Sequence, residues 1–583
     1  MTNLSDIKAL SVPELQTICE EIRAFLIESI SKTGGHIGAN LGTIELTVAL
    51  HHVFESPQDR FLFDTGHQGY TQKILTGRQS LFPTLNQPQG MSRFLGLAES
   101  IHDTYDATHA GTAISTAIGI AKANRLNGSN NLVVAVVGDG SLVEGISFEG
   151  LNYGMLGNLP LIIVVNDNGM AIAPNVGGIH HLFSQPNWQQ ASRQFFEGLG
   201  YQYLAVPDGH EMAHLIQAFQ EAKTKVRQKP IVVHVKTTKG KGLPYADTHK
   251  YRMHFSMPFN AQTGEGASAT ITGETYASVA AKTLYSLMEK DQDIITISPA
   301  TPYASSLDQI LTVFPDRALD VGMAEQHAAS MACGLALQGK KPVVCYQSTF
   351  MQRAMDQIIH DMAFMKLPVT LLAVRSGFAG YDGPTHHGIY DLSYLPAIPN
   401  LNIFYAGTRY DLDTVLRWRL ANPDGPMVIL HPYENVSSKE TPPLAQNQDI
   451  TQPEIIGDPA KICILGVSNC LETALSIREK LISQGEEVCY VNPRWIKPFP
   501  EKALLPYLEK ADLIVTLEEN ISTGGFGSRV ATMICDYKLN AKLYRACISD
   551  SFVRFGDKQD LSHETGIDAE SILEKIHTYY ALT

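Results

Sequence analysis

The chain is predicted to be an α/β protein of three domains, each a mainly parallel sheet flanked by helices. Three observations predict this. Short β-branched runs that are apolar throughout recur at 132–137, 161–165, 231–235, 342–345, 369–374, 461–465, 488–491 and 513–517. Such runs read as parallel strands covered on both faces, and the helical stretches between them give alternating α/β layers. Two composition breaks, one rich in Gly, Thr and Ala at 258–274 and one polar and Pro-bearing at 434–454, divide the 583 residues into 1–265, 270–435 and 455–583. Each block is long enough to bury its own core.

Composition narrows the class. At 44% apolar and 18% charged residues with a net charge of −14, the chain is an ordinary globular protein, and nucleic acid or an anionic membrane is a poor partner for it. No apolar run approaches the ~20 residues that span a bilayer. The start, Met1-Thr-Asn-Leu-Ser, lacks the basic and apolar regions of a signal peptide. Eight cysteines without a Cys-x-x-Cys pair fit reduced thiols and a cytoplasmic enzyme.

In the first block, the runs 132–137 and 161–165 end in Gly138-Asp139-Gly140 and Asn166-Asp167-Asn168. Residues 142–156 between them read as a crossover helix with Leu142, Ile146, Phe148, Leu151 and Met155 as its apolar points. A βαβ unit puts both triplets at the carboxyl ends of parallel strands, where open α/β sheets bind ligands. Asp139 and Asn168 then converge as a hard oxygen pair suited to Mg²⁺ and a phosphate ligand. Gly138 and Gly140 admit backbone close to phosphate, and the helix start beyond offers N–H groups. Each triplet alone is ordinary turn chemistry. Together, with fewer than thirty residues between them, they resemble the fingerprint of thiamine diphosphate enzymes. That resemblance implies Asp139 and Asn168 as side-chain ligands of Mg²⁺, with the Met170 carbonyl as a third.

The second block supplies what thiamine chemistry needs. The C2 proton is removed by the coenzyme's own aminopyrimidine, which requires a carboxyl group on its ring nitrogen. Glu325, in "LDVGMAEQHAASMACGLALQG", is placed just before a helix of small residues in an apolar setting. An acid stabilised by a helix dipole is the ordinary fate of such a Glu. The downstream run "YQSTFMQRAMDQIIHD" favours the catalytic one, because Phe350 is placed to stack on the pyrimidine.

Longer motifs extend the likeness over nearly the whole chain, in order: "GGHIGANLGTIELTVALHHVF", "DTGHQGYTQKILTGR", "AEQHAASMACGLALQG", "STFMQRAMDQIIHDMAFMKLPV", "GYDGPTHHGIYDLSYL", "PRWIKPF" and "LEENISTGGFGS". They resemble the 1-deoxy-D-xylulose-5-phosphate synthase family, which has the transketolase-like fold. The resemblance implies a diphosphate-binding, a pyrimidine-binding and a C-terminal transketolase-type domain, in a homodimer. It implies that pyruvate loses CO₂ and that its two-carbon unit joins an aldehyde, glyceraldehyde 3-phosphate. By matching motifs, His36 and His386 handle protons and oxyanions, as a pKa near working pH allows. His67 and His109 line the diphosphate side, and Lys239 and His254 approach the cofactor from the end of the first block. Arg353, Arg375 and Asp382 meet the acceptor, guanidinium for phosphate and carboxylate for hydroxyl. His387, beside His386, reads as a neighbour.

Three departures from the family pattern stand out. Tyr433, in "LHPYEN", takes the place of an Arg that grips the acceptor phosphate, an exchange expected to weaken phosphate binding by about 2 kcal/mol or more. Gln347 stands where a Tyr usually helps, and Tyr346, one position off, points elsewhere on a strand. The segment after Asn175-Val176-Gly177 is about forty residues shorter than in the family, so a long cover of the kind that closes active sites is missing or rebuilt. The donor half is therefore intact and the acceptor half altered, so a different aldehyde, including an unphosphorylated one, stays open. A transketolase is disfavoured by the "DGPTHHG" and "KLPVTLLAVRSG" segments, and a 2-oxoacid dehydrogenase component more so. A non-catalytic protein of the same fold is disfavoured by the retention of Asp139, Asn168, Glu325, His36 and His386.

Overall fold

The computed structural model describes residues 7–106, 108–266, 273–436 and 449–581. Residues 267–272 and 437–448, within the two composition breaks, lie outside the described residues. The chain forms two compact units, 1–269 with 321–324, and 270–320 with 325–583.

The first unit holds β1 (Arg60–Phe63), β2 (Val133–Gly138), β3 (Leu161–Asp167), β4 (Gln202–Val206) and β5 (Ile231–Lys236). They pair in parallel in the order β1-β2-β3-β5-β4. Because side chains alternate between faces, Val134, Val136, Ile162 and Val164 enter one core while Val133, Ala135, Val137, Ile163 and Val165 enter another. Both faces are thus dry, which is why these strands lack a polar alternation. Gly138 pairs with Asn166 across β2 and β3, so the two triplets emerge side by side.

The crossover between them differs from the expected 142–156. A 3₁₀ turn at Ser141–Val143 precedes a helix at Gly145–Gly154, whose buried side is Ser147, Gly150, Leu151 and Gly154. Phe148, read as a core point, is 38% exposed, and Ile146 and Met155 are only half-buried. The cause is close approach. A Cβ at Gly150 would meet Ile114 Cγ2 at 2.8 Å, and one at Gly154 would meet Tyr201 Oη at 2.7 Å. Neighbours therefore pack onto the glycine stripe, and Phe148 is turned outward.

The second unit contains two sheets. One is built from β6 (Ile294–Ser298), β7 (Ala318–Asp320), β8 (Lys341–Gln347), β9 (Thr370–Val374), β10 (Asn402–Tyr405) and β11 (Met427–His431). The other comprises β12 (Glu454–Ile456), β13 (Ile462–Gly466), β14 (Val488–Asn492), β16 (Leu513–Ile521) and β17 (Lys542–Ile548). A short strand from the last block, β15 (Trp495–Lys497), joins the earlier sheet, giving the order β15-β10-β11-β9-β8-β6-β7. It pairs antiparallel to β10. Trp495 anchors it edge-on against Phe404 and Trp418, with ring centroids 5.3 and 5.5 Å away. The last sheet runs β12-β14-β13-β16-β17 and is parallel except for β12. The architecture is α/β with mainly parallel sheets, and every strand expected from an apolar run is present. Among the described residues no helix is long and apolar enough to cross a membrane.

Candidate active site

In the first unit, Asp139 leaves the end of β2 with its carboxylate 3% exposed. Its Oδ2 accepts hydrogen bonds from Gly169 N–H and from the Asn175 side-chain amide, both at 2.8 Å, and Asn168 N–H lies 3.5 Å from Oδ1. Asn168 Oδ1 accepts from Met170 N–H at 3.1 Å. Met170 is bridged to Pro174, so a tight loop carries Asn168, Met170 and Asn175 past the carboxylate. Gly140 serves this loop. A Cβ there would stand 2.7 Å from Ala171 Cβ, so the missing side chain admits protein rather than ligand, contrary to the expected role. At Gly138 a Cβ would meet nothing nearer than Ser141 Oγ at 3.9 Å, leaving space in front of the strand end.

Burial, followed by the charge of Asp167, pushes Asp139 up to about 8. Asp167 moves the other way: hydrogen bonds and charge from His234 and Lys236 outweigh its burial and hold it low. A buried carboxylate so disfavoured calls for a cation. Among the described residues no group of three or more His, Cys, Asp or Glu is placed to hold a metal. The hard oxygens this loop offers are the Asp139 carboxylate and the Asn168 amide oxygen, a pair that suits a hard ion such as Mg²⁺.

Beside this loop stand three imidazoles. The His36, His67 and His254 ring centroids are separated by 5.4, 5.5 and 5.1 Å. Burial, then the charge of Lys239, brings His67 down to about 3, and burial, then Lys239 and the other two rings, holds His254 well below its ordinary value. Lys239 itself is lowered to about 7 by burial, against the pull of Asp139, and its Nζ donates to the Ala171 carbonyl. Nδ1 of His67 and Nδ1 of His254 are buried without hydrogen-bond partners. Polar atoms orphaned beside a buried lysine are what a diphosphate would satisfy, so the residues fit the group. His109 is half-buried on the turn before the helix Ala113–Leu126.

Two residues that the sequence did not single out hold this arrangement. Asn40 donates to the carbonyls of His36 and His67 at 2.7 and 2.8 Å and accepts from Tyr70 N–H, tying two histidine loops together. Asp64, at the end of β1, accepts from Gly111 and Ala113 N–H at 2.8 to 3.1 Å and fixes the His109 turn. The only signal for Asn40 was its place within "GGHIGAN"; Asp64 and Asn175 gave none beyond ending strand-like or motif segments.

The shortened segment is rebuilt as two helices, Gly177–Ser184 and Trp188–Gly198. Phe183 and Trp188 pack on His234 with ring centroids 4.4 and 4.7 Å away, and His234 Nε2 bonds Asp167 at 2.8 Å.

In the second unit, Glu325 is the first residue of the helix Glu325–Leu337 and is 4% exposed. The Tyr346 hydroxyl donates to its carbonyl at 2.8 Å. Phe350 stands edge-on to His386 at 5.5 Å. Arg353 is half-buried on the turn Gln352–Ala354. His387 is fully buried, with Nδ1 accepting from Ala379 N–H at 2.9 Å and Nε2 bonded to the Arg554 carbonyl at 3.0 Å. Both its nitrogens are used, so it is a fixed part of the wall.

Beyond β8 and β9 the intended acceptor residues gather. Arg375, at φ +70°, gives Nη1 to Asp382 Oδ2 at 2.5 Å and lays its guanidinium 4.2 Å from the Tyr433 ring centroid. Gln347 is 2% exposed, with its side-chain Oε1 buried and without a hydrogen-bond partner. Tyr303, not anticipated from the sequence, packs with Tyr433 against Ala277, Ala304 and Val374. Glu434 pairs with Lys558, which also reaches Glu519, each at 3.0 Å, and Glu519 accepts from Phe378 N–H at 3.1 Å.

Asp391 braces this floor. It accepts from Ser348 and Ser376 hydroxyls at 2.7 to 2.8 Å, and burial, opposed by those bonds, raises it to about 6. A carboxyl raised on folding stabilises the native state fully below its unfolded value of 3.8 and loses that contribution as pH climbs through about 6. Asp391→Asn is therefore expected to remove a loss of up to about 3 kcal/mol across that window. Urea unfolding of both proteins below and above the window checks this, and equal pH slopes would refute it.

The family model for 1-deoxy-D-xylulose-5-phosphate synthase matches residues 1–195 and 185–237, in two pieces that overlap in the shortened segment. The models for the transketolase pyrimidine-binding domain and C-terminal domain match 273–439 and 453–572. A protein named 1-deoxy-D-xylulose-5-phosphate synthase from Caldanaerobacter subterraneus subsp. tengcongensis is 35% identical over 621 positions, covering 99% of this chain and 98% of that one. Its alignment exceeds the 583 residues here by 38, so it carries gaps on this side. Proteins of the same name from Alkaliphilus oremlandii and Listeria monocytogenes are each 37% identical, over 99% and 98% of this chain and 98% and 95% of theirs. Among solved structures, transketolase from Campylobacter jejuni aligns with 98% of this chain and 100% of its own at 18% identity and a TM-score of 0.46. That likeness is too weak to carry residue roles across. The matches to the models and to full-length relatives are decisive: the chain belongs to the 1-deoxy-D-xylulose-5-phosphate synthase family.

Proposed function

We propose that this chain, as a cytoplasmic homodimer, uses thiamine diphosphate and Mg²⁺ to decarboxylate pyruvate and join the two-carbon unit to glyceraldehyde 3-phosphate. The product is 1-deoxy-D-xylulose 5-phosphate. The observation that carries the reading is the buried Asp139 carboxylate framed by Asn168 and Asn175, beside three imidazoles and Lys239. Thiamine diphosphate, held there, would supply a carbon nucleophile for the keto group of pyruvate and an electron sink for loss of CO₂.

The residues divide the remaining work. Asp139, the Asn168 amide oxygen and the Met170 carbonyl hold Mg²⁺, and His67, His109, Lys239 and His254 line the diphosphate. Burial keeps His67 and His254 uncharged, so each offers one donor and one acceptor to its surroundings. Glu325 keeps a proton at the pyrimidine nitrogen, and Phe350 packs on that ring. His36 and His386 move protons at the carbonyl oxygens of pyruvate and of the aldehyde. Arg353, Arg375, Asp382, Gln347 and Tyr433 receive the acceptor.

The test is product formation. With pyruvate, glyceraldehyde 3-phosphate, thiamine diphosphate and Mg²⁺, one CO₂ is expected per 1-deoxy-D-xylulose 5-phosphate. Two-carbon transfer between sugar phosphates without CO₂ would instead mark a transketolase.

A further inference from the structure

Lys239 lies on the segment after β5, and one buried carboxylate governs that segment at two points. Glu45, 5% exposed on the helix Ile44–Val53, takes Arg23 Nη2 on Oε1 and His210 Nδ1 on Oε2, the latter at 2.9 Å. His210 Nε2 accepts from Thr238 N–H at 2.9 Å. Arg23 Nη1 donates to the Lys241 carbonyl at 2.9 Å and to the Leu41 carbonyl at 3.0 Å. The segment is thus held just before Lys239 and again just after it.

The chemistry of His210 allows one arrangement. A backbone N–H can only donate, so Nε2 is the bare nitrogen, and Nδ1 carries the proton that is given to Glu45. The turn that carries the imidazole is fixed as well: Gly209 N–H reaches the Lys236 carbonyl at 2.7 Å, and Asp208 accepts from His210 N–H at 2.9 Å. The same clamp grips the other side of the site. Leu41 ends the helix Ile37–Leu41, which His36 caps, and Gly240 N–H donates to the Gly38 carbonyl of that helix at 2.8 Å. A Cβ at Gly42 would stand 2.9 Å from the Thr238 carbonyl, so the two segments are pressed together. Lys239 is 4% exposed and its Nζ donates to the Ala171 carbonyl, so where its ammonium lies depends on where its backbone is held.

We propose that His210, oriented by Glu45, is a positioning residue that sets the backbone of Lys239 and so aims its ammonium at the diphosphate. This rests on the function proposed above.

The experiment uses the full chain with Mg²⁺ and follows thiamine diphosphate binding by quenching of intrinsic fluorescence. His210→Asn keeps a donor at the Nδ1 position but removes the acceptor for Thr238. It is expected to raise Kd by about tenfold or more, the worth of a charge-assisted hydrogen bond. His210→Gln puts an amide oxygen where Nε2 stood and should restore most of that loss. Lys239→Met should weaken binding at least as much as His210→Asn. When the two are combined, Kd should match that of Lys239→Met alone to within about twofold, because a residue that acts only through Lys239 has nothing left to place. A purely structural role would instead make the two losses multiply. That result overturns the inference, as does His210→Gln binding as weakly as His210→Asn. Wild-type affinity in His210→Asn or in Lys239→Met, or failure of His210→Asn to fold, overturns it too. A wild type that does not bind thiamine diphosphate with Mg²⁺ sinks the underlying reading and the inference with it.

Discussion

Glu325→Gln is expected to lower kcat for CO₂ release from pyruvate by about 10²–10⁴-fold, the range lost when a positioned proton donor is removed. The substitution keeps size and hydrogen-bonding reach but removes the titratable proton. Structure around it should survive, because the substitution leaves untouched the backbone carbonyl of Glu325 that accepts from Tyr346. Thiamine diphosphate affinity, followed by quenching of intrinsic fluorescence, should therefore fall far less than kcat. Such a split identifies a proton-handling group. A loss of binding that matched the loss of rate would assign Glu325 to anchoring, and a rate within tenfold of wild type would remove it from the chemistry.

Asp139→Ala is expected to abolish the stabilisation that Mg²⁺ and thiamine diphosphate give together, and with it measurable turnover. A ligand at ~100 times its Kd adds about 2.7 kcal/mol to the folded state, so the wild type should show a clear rise in thermal midpoint when both are added. The variant should show none at the same concentrations. Its apo form should be about 1–3 kcal/mol less stable than the wild-type apo form, because Gly169 N–H and the Asn175 amide lose their acceptor. Asn175→Ala, which removes a hydrogen bond to Asp139 Oδ2 without removing the carboxylate itself, belongs between the two, with Mg²⁺ affinity lowered by about 10–100-fold. An undiminished thermal shift in Asp139→Ala would place the metal elsewhere.

What could be read from the sequence, and what could not, has a physical pattern. Central strands such as β2 and β3 bury both faces and show it as unbroken β-branched runs, while β6 and β11, equally buried, are not among the expected runs. β1, β7, β12 and β15 have only three or four residues, too few for a pattern, and β4 and β17 are half-exposed edge strands. The misjudged face of the helix Gly145–Gly154 has the same root: glycine carries no hydropathy signal, yet Gly150 and Gly154 decide which side a neighbour can reach. At the site, groups named for their chemistry were visible because their types are uncommon together. Asn40, Asp64, Asn175 and Tyr303 were not, because each acts through a partner set by tertiary closure, 27 positions away for Asn40 and His67 and 47 for Asp64 and Gly111. Residue type says what a side chain can do, but only the closed chain says to whom.

The Lys558 contacts with Glu434 and Glu519 also set a schedule. Phe378 waits for Glu519, 141 residues later, and His387 waits for Arg554, 167 residues later. At ~5–20 residues per second, synthesis of such an interval takes on the order of ten seconds. Through that time the wall beside Arg375 and Tyr433 emerges from the ribosome without its supports. That wall is thus completed late in translation, and a nascent chain halted before residue 519 would leave it without Glu519.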